Sequence, residues 1–105
     1  MVGIDIVDIS RIADAMEKYG NRFLDRVFTE EEIAYVNRRK RVNESLAGRF
    51  AAKEAFMKAQ GRRLPWKDIA VLQTDNKPFI RYRGMNYSGV SISHERAYAV
   101  SIVVI

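Results

Sequence analysis

Cysteine is missing from this 105-residue chain, which removes disulfides, thiolate-bound metals and a cysteine nucleophile. That lack leaves the compartment open and inclines the reading towards cytoplasm. Histidine occurs once, at His94, so a multi-histidine metal site within one chain is excluded. Any metal would be a hard cation on oxygen ligands. There are only two prolines, with no linker, repeat or low-complexity segment. No apolar run reaches the roughly 18 residues of a membrane span, and the chain starts in a strand-like segment. Neither a membrane partner nor a signal peptide is expected.

What is present is ordinary globular composition, 48% hydrophobic and 30% charged, in one domain over residues 1–105. The net charge of +5 points to an anionic partner, without choosing among nucleic acid, phosphorylated ligand and acidic protein.

Val2 to Val7 reads as a strand, with Val2, Ile4 and Ile6 on one face and Gly3, Asp5 and Val7 on the other. Asp5 is out of place, since aspartate is depleted in strands; Gly3 beside it leaves space for a ligand or another backbone. Asp8 is a candidate N-cap for a helix carrying Ile9, Ile12, Ala13, Met16 and Tyr19, and Gly20 ends it. Asn21 to Phe28 is short and partly apolar, with Arg22 and Arg26 on one side of a turn. Thr29 to Glu32 fits a capping box, so these glutamates read as helix-start chemistry. That helix ends near Asn37, before the cationic run Arg38 to Arg41, which exceeds what capping needs and could dock phosphate or acidic protein.

A long helix from Glu44 to Gln60, stopped by Gly61, organises the chain. On a helical wheel Leu46, Phe50 and Met57 cluster, while Ala47, Ala51, Ala55 and Ala59 form a ridge of small residues. Glu54 and Lys58, four apart, stack between these apolar groups, whereas Arg49 and Lys53 fall on a more polar side. A solvated Glu–Lys pair is the commoner explanation for such spacing; a second acid converging on Glu54 would displace it. Trp66 is expected to plug the core. Two hairpins follow, one turning at Thr74–Lys77 and one around His94–Arg96. The order, a strand, three helices and about four antiparallel strands, is α+β. A lone histidine at a strand end is more often structural than catalytic.

Three segments taken together resemble a known family. Gly3-Ile4-Asp5, the run from Arg49 to Lys58, and Val90-Ser91-Ile92-Ser93-His94 look like the 4'-phosphopantetheinyl transferases, specifically bacterial holo-acyl-carrier-protein synthases. The second motif is the specific one, with Phe50 three residues before Lys53-Glu54 and Lys58 four beyond the glutamate. The resemblance covers essentially the whole chain. Departures are Asn76 where a glycine often precedes the lysine, a slightly shorter N-terminus, and Glu95 after His94.

The resemblance implies transfer of 4'-phosphopantetheine from coenzyme A to a serine of acyl carrier protein, releasing 3',5'-ADP, for fatty acid biosynthesis. It also implies Mg²⁺ (Mn²⁺ being possible) and a homotrimer with active sites between subunits. Asp5 and Glu54 would hold the metal; Glu54 and Lys58 would be catalytic, with Glu54 taking the serine proton. Arg49, Lys58 and His94 would bind coenzyme A, with part of Arg38 to Arg41 contributing. Arg11, Arg22 and Arg26 would face the acidic carrier protein. The chief rival is a small basic nucleic-acid-binding α+β module without activity. The scattered basic residues and the lack of an RNA-recognition-type aromatic strand argue against it. A non-catalytic relative retaining the fold is the other rival, but Asp5, Glu54, Lys58 and His94 are all in place.

Overall fold

The computed structural model describes all 105 residues. In chain order the elements are β1 (Val2–Asp8), α1 (Ile9–Tyr19), α2 (Asn21–Val27), α3 (Glu30–Asn37) and α4 (Val42–Gln60). A single 3₁₀ turn at Trp66–Asp68 leads into β2 (Ile69–Thr74), β3 (Lys77–Tyr82), β4 (Met85–Tyr87), β5 (Val90–Glu95) and β6 (Tyr98–Val104). The α+β order expected from the sequence is observed, with two additions. Asn21–Val27 is a helix rather than a turn, and Met85–Tyr87 adds a short strand beside β3. Neither segment is long enough to display a period in the sequence alone.

The strands form two three-stranded antiparallel sheets, ordered β1-β6-β5 and β2-β3-β4. Closing β1 on β6 with Val2 opposite Val104 brings the two ends of the chain together. The Met1 ammonium donates to the Ile105 carbonyl at 2.7 Å. In the first hairpin Thr74 pairs with Lys77, leaving Asp75 and Asn76 as a two-residue turn with φ of 53° and 63°. Both central residues are left-handed, the geometry of a type I′ turn, where asparagine is one of the few tolerated alternatives to glycine.

Local signals behave as their chemistry dictates. The Asp8 carboxylate caps α1 by accepting from the Ser10 amide at 2.9 Å. Thr29 and Glu32 form the full capping box on α3. Gly61 ends α4 in the left-handed conformation, its amide returning to the carbonyls of Met57 and Lys58.

Helix α4 is the axis of the molecule because it buries nearly its whole circumference. Ala52, Ala55, Phe56 and Met57 pack into one cluster with Ile69, Val71, Ile80 and Val103. Leu46, Ala47 and Ala51 pack into a second with Val7, Ile12, Phe28 and Val36. Trp66 is half-buried at the seam, packed against both clusters and stacked on Phe50 at 5.0 Å. The outer face of the first sheet stays bare: Val2, Ile4, Ile6, Ile102 and Val104 are all between 41% and 61% exposed. The inner face of β1, bearing Gly3, Asp5 and Val7, lies against α4.

Candidate active site

Gly3 decides how β1 meets α4. A Cβ there would lie 1.9 Å from the Ala55 carbonyl oxygen and 2.7 Å from the Ala59 nitrogen, so the strand crosses in direct backbone contact. Two residues on along the same face, Asp5 reaches the last turns of the helix. Lys58 Nζ donates to Asp5 Oδ1 at 3.1 Å and to the Ile4 carbonyl at 2.9 Å. Burial pushes the Asp5 carboxyl above its ordinary 3.8; the Lys58 ammonium opposes that, and the negative charge of Glu54 adds to it. The two carboxylates therefore share one local field. The Glu54–Lys58 pair suggested by the wheel does not form. Lys58 turns to Asp5, and Glu54 is instead held by Arg63, with Nη1 at 2.9 Å from Oε2 and Nη2 at 3.4 Å from Oε1.

A raised aspartate pKa has a definite sign. Between 3.8 and the folded-state value the native chain binds the proton more readily than the unfolded chain, so ionisation of Asp5 costs stability above that window. Asp5→Asn is therefore expected to raise the midpoint of thermal unfolding at neutral pH, with the gain vanishing as pH falls below about 3.8. Melting curves against pH measure this, and a lowered midpoint at neutral pH would mean the Lys58 pair outweighs burial.

About 15 Å back along α4, at 1.5 Å per residue, lies a second polar constellation. The run Arg38 to Arg41, with Glu44, Ser45 and His94, lines an open groove of about 460 Å³. His94 stands on β5, opposite Ala99, rather than in the hairpin turn. Its imidazole lies over Gly48, where a Cβ would fall 3.0 Å from Nε2, and its Nδ1 is 3.6 Å from Glu44. Arg49 opens onto the neighbouring groove between α3 and β2, with Arg38 in the wall of both. Arg49 and Lys53 are not on a polar side as the wheel placed them. They are 5% and 0% exposed, because α2, α3 and β2 cover that side of the helix, which the helix's own sequence cannot report. Arg49 lies 4.2 Å over the Tyr35 ring, its Nε has no partner, and burial lowers the basicity of its guanidinium.

Sequence reasoning missed the role of Glu32. Besides capping α3, its carboxylate is wholly buried, accepting from Lys53 Nζ at 2.7 Å and from the Val71 amide at 3.0 Å. Lys53 also donates to the carbonyls of Val27 at 2.7 Å and Trp66 at 3.2 Å. Three donated hydrogens describe an ammonium, although burial pulls its pKa down against the pull of Glu32. The apolar company of Lys53 in the helix hinted at this; its partner, 21 residues away, carried no local signal.

Arg22 and Arg26 share an open surface with Tyr19 and Phe23. Arg11 is outside that patch, on the first turn of α1, near enough for its charge to act on Asp5. Glu95, beside His94, is exposed and pairs across the hairpin with Tyr98.

Residues 1–103 match the family model of the 4'-phosphopantetheinyl transferase superfamily. The chain belongs to that superfamily. A holo-[acyl-carrier-protein] synthase from Halothermothrix orenii is 43% identical over 98% of this transferase and 94% of the relative. One from Chloroherpeton thalassium is 44% identical over 99% and 95%. Among solved structures, the Helicobacter pylori synthase in complex with coenzyme A superposes with a TM-score of 0.88 at 33% identity, covering 99% of this chain and 98% of that one. The Bacillus anthracis synthase in complex with CoA (3',5'-ADP) gives 0.84 at 35% identity, covering 97% and 91%. The expected α+β fold, the transferase class and holo-acyl-carrier-protein synthase as the function are borne out.

Proposed function

We propose that this transferase moves the 4'-phosphopantetheine arm of coenzyme A onto a serine hydroxyl of apo acyl carrier protein, releasing 3',5'-ADP, with Mg²⁺ held by Asp5 and Glu54. The observation that carries the reading is the contact of Lys58 with Asp5 where β1 crosses α4, with Glu54 near enough for its charge to act on Asp5, on the same helix as the groove lined by Arg38 to Arg41. No group of three or more His, Cys, Asp or Glu side chains converges. Two carboxylates, 17% and 19% exposed and each resting against a cation of the same chain, nevertheless fit Mg²⁺. That ion is usually held by one or two carboxylates and completes its shell with water and phosphate oxygens; Mn²⁺ would be accepted on the same grounds. When bound, the metal would neutralise charge on the pyrophosphate.

The residues of the chain do the rest by position and charge. Glu54 takes the proton of the attacking serine. The serine oxygen bonds to the phosphorus bearing the pantetheine arm as the P–O bond to 3',5'-ADP breaks, and the electron pair departs with the ADP. Lys58, one turn from Glu54, stabilises that leaving phosphate. Arg49 and His94, with part of Arg38 to Arg41, hold the nucleotide and its phosphates. Arg11, Arg22 and Arg26 face the acidic carrier protein. The assembly is a homotrimer with sites between subunits, and the bare apolar face of Val2, Ile4, Ile6, Ile102 and Val104 supports contact with another subunit, since exposed apolar surface of this kind marks interfaces. Cytoplasmic work in fatty acid biosynthesis completes the reading.

Intact-mass analysis of an apo carrier protein incubated with coenzyme A and Mg²⁺ tests it. Wild type should attach one phosphopantetheine and Glu54→Gln none, while Arg11→Glu should slow attachment without weakening coenzyme A binding. No mass change with several carrier proteins would refute the reaction.

A further inference from the structure

Arg63 is used by nothing in the reaction described above, yet it is the side chain in contact with Glu54. Its guanidinium grips both oxygens of the carboxylate, at 2.9 Å and 3.4 Å. The same guanidinium lies 5.4 Å from the centroid of the Trp66 ring, which is itself stacked on Phe50. Two independent contacts therefore position it: a forked ion pair on one side and an aromatic shelf on the other. The chain path makes this possible. Gly61, at φ 77°, reverses the chain at the end of α4. Leu64 is then pulled into the core at 8% exposure, so Arg63 is turned back along the helix it has just left. The pair is open to water on the arginine side, where Arg63 is 66% exposed against 19% for Glu54.

We propose that Arg63 is the resting counter-ion of Glu54, exchanged for the metal when the anionic substrate arrives. The inference rests on Asp5 and Glu54 being the metal ligands. A carboxylate held by a forked arginine is a poorer ligand for a divalent cation, because both its oxygens are already engaged and the two positive charges repel. The diphosphate of the substrate offers the guanidinium a more highly charged forked partner at the same place. Arg63 moves to those phosphate oxygens, Glu54 is freed, and metal and substrate bind with positive coupling. By linkage the coupling is reciprocal, each ligand tightening the other by the same factor. Lys58 holds Asp5 in the corresponding way but through a single bond from an ammonium, so the forked pair on Glu54 is the harder of the two to displace.

Mn²⁺ binding to the full chain, followed by electron paramagnetic resonance of the free ion with and without coenzyme A, in the absence of carrier protein and against a protein-free control, tests this directly and needs no turnover. In wild type, coenzyme A should tighten Mn²⁺ binding. Arg63→Gln should tighten Mn²⁺ binding in the absence of coenzyme A by roughly two- to fivefold, the range of an exposed ion pair converted to affinity, and should shrink the gain from coenzyme A. Arg63→Lys, which keeps the charge but loses the fork and the shelf, should fall between them. The high exposure of Arg63 makes both variants compatible with folding, checked by circular dichroism. If Glu54→Gln abolishes Mn²⁺ binding while Arg63→Gln leaves it unchanged or weaker, the counter-ion role is wrong and the metal site stands. If Glu54→Gln binds Mn²⁺ as wild type does, the ligand assignment itself fails and the inference with it.

Discussion

Lys53→Met should lower the free energy of unfolding by about 3–5 kcal/mol, the cost of removing one member of a buried ion pair. Nothing reaches in to replace the ammonium. Glu32 is wholly buried and would be left with only the Thr29 and Val71 amides as donors, while the carbonyls of Val27 and Trp66 lose theirs. Against a typical total of about 5–15 kcal/mol, such a loss leaves a marginal protein. Glu32→Gln should be comparably damaging, since it strands the ammonium instead. The double variant Glu32→Gln with Lys53→Met should cost less than the sum, because the glutamine carbonyl can still accept an amide while no charge remains to be stranded. Urea denaturation of the four proteins measures the cycle. Single costs near the ordinary surface range of about ±0.5 kcal/mol would show that water reaches the pair.

The ion pair also bears on the site. Lys53 precedes Glu54 on α4, and its bonds reach the end of α2, the start of α3 and the turn before β2. The rotation of α4 about its own axis is held by that anchor, and with it the direction in which Glu54 projects.

Gly3→Ala is expected to remove metal binding and transfer more completely than it removes the fold. The added methyl group would have to sit 1.9 Å from a carbonyl oxygen of α4. The obstacle is helix backbone, which cannot rotate aside as a side chain can. The helix must withdraw from β1, an overpacking strain of about 1–3 kcal/mol or somewhat more. The shift falls between Ala55 and Ala59, on the stretch that includes Lys58, and it carries Asp5 away from both Lys58 and Glu54. Denaturant unfolding and Mn²⁺ affinity, measured on the same variant, separate the two effects. Wild-type metal affinity in a folded Gly3→Ala protein would show that the site does not depend on this close crossing.

The features legible in the sequence are those whose cause is local. The capping box of Thr29 and Glu32, the end of α4 at Gly61, and the hairpin turn at Asp75-Asn76 each depend on residues within four positions of one another. The oddness of Asp5 in an apolar strand, with Gly3 beside it, was visible for the same reason. The site motifs were legible as a set because three short segments occurred in the right order and spacing. The helical wheel failed at Arg49 and Lys53 because it sees one helix alone, and what covers those side chains arrives from α2, α3 and β2. Arg63 lay hidden in a connector, although a left-handed glycine two residues earlier is a signal that the chain doubles back.

Composition and order alone determined that this is a basic α+β chain without thiol chemistry, and its motifs pointed to the 4'-phosphopantetheinyl transferase superfamily. Tertiary structure decided which charged groups meet. Helical spacing offers Glu54 and Lys58 to each other, but the fold gives Lys58 to Asp5 and Glu54 to Arg63, because the crossing of β1 at Gly3 and the reversal at Gly61 bring up partners that spacing cannot supply. Charges find partners by distance in space, and in a chain this size that distance is set by how α4 is packed.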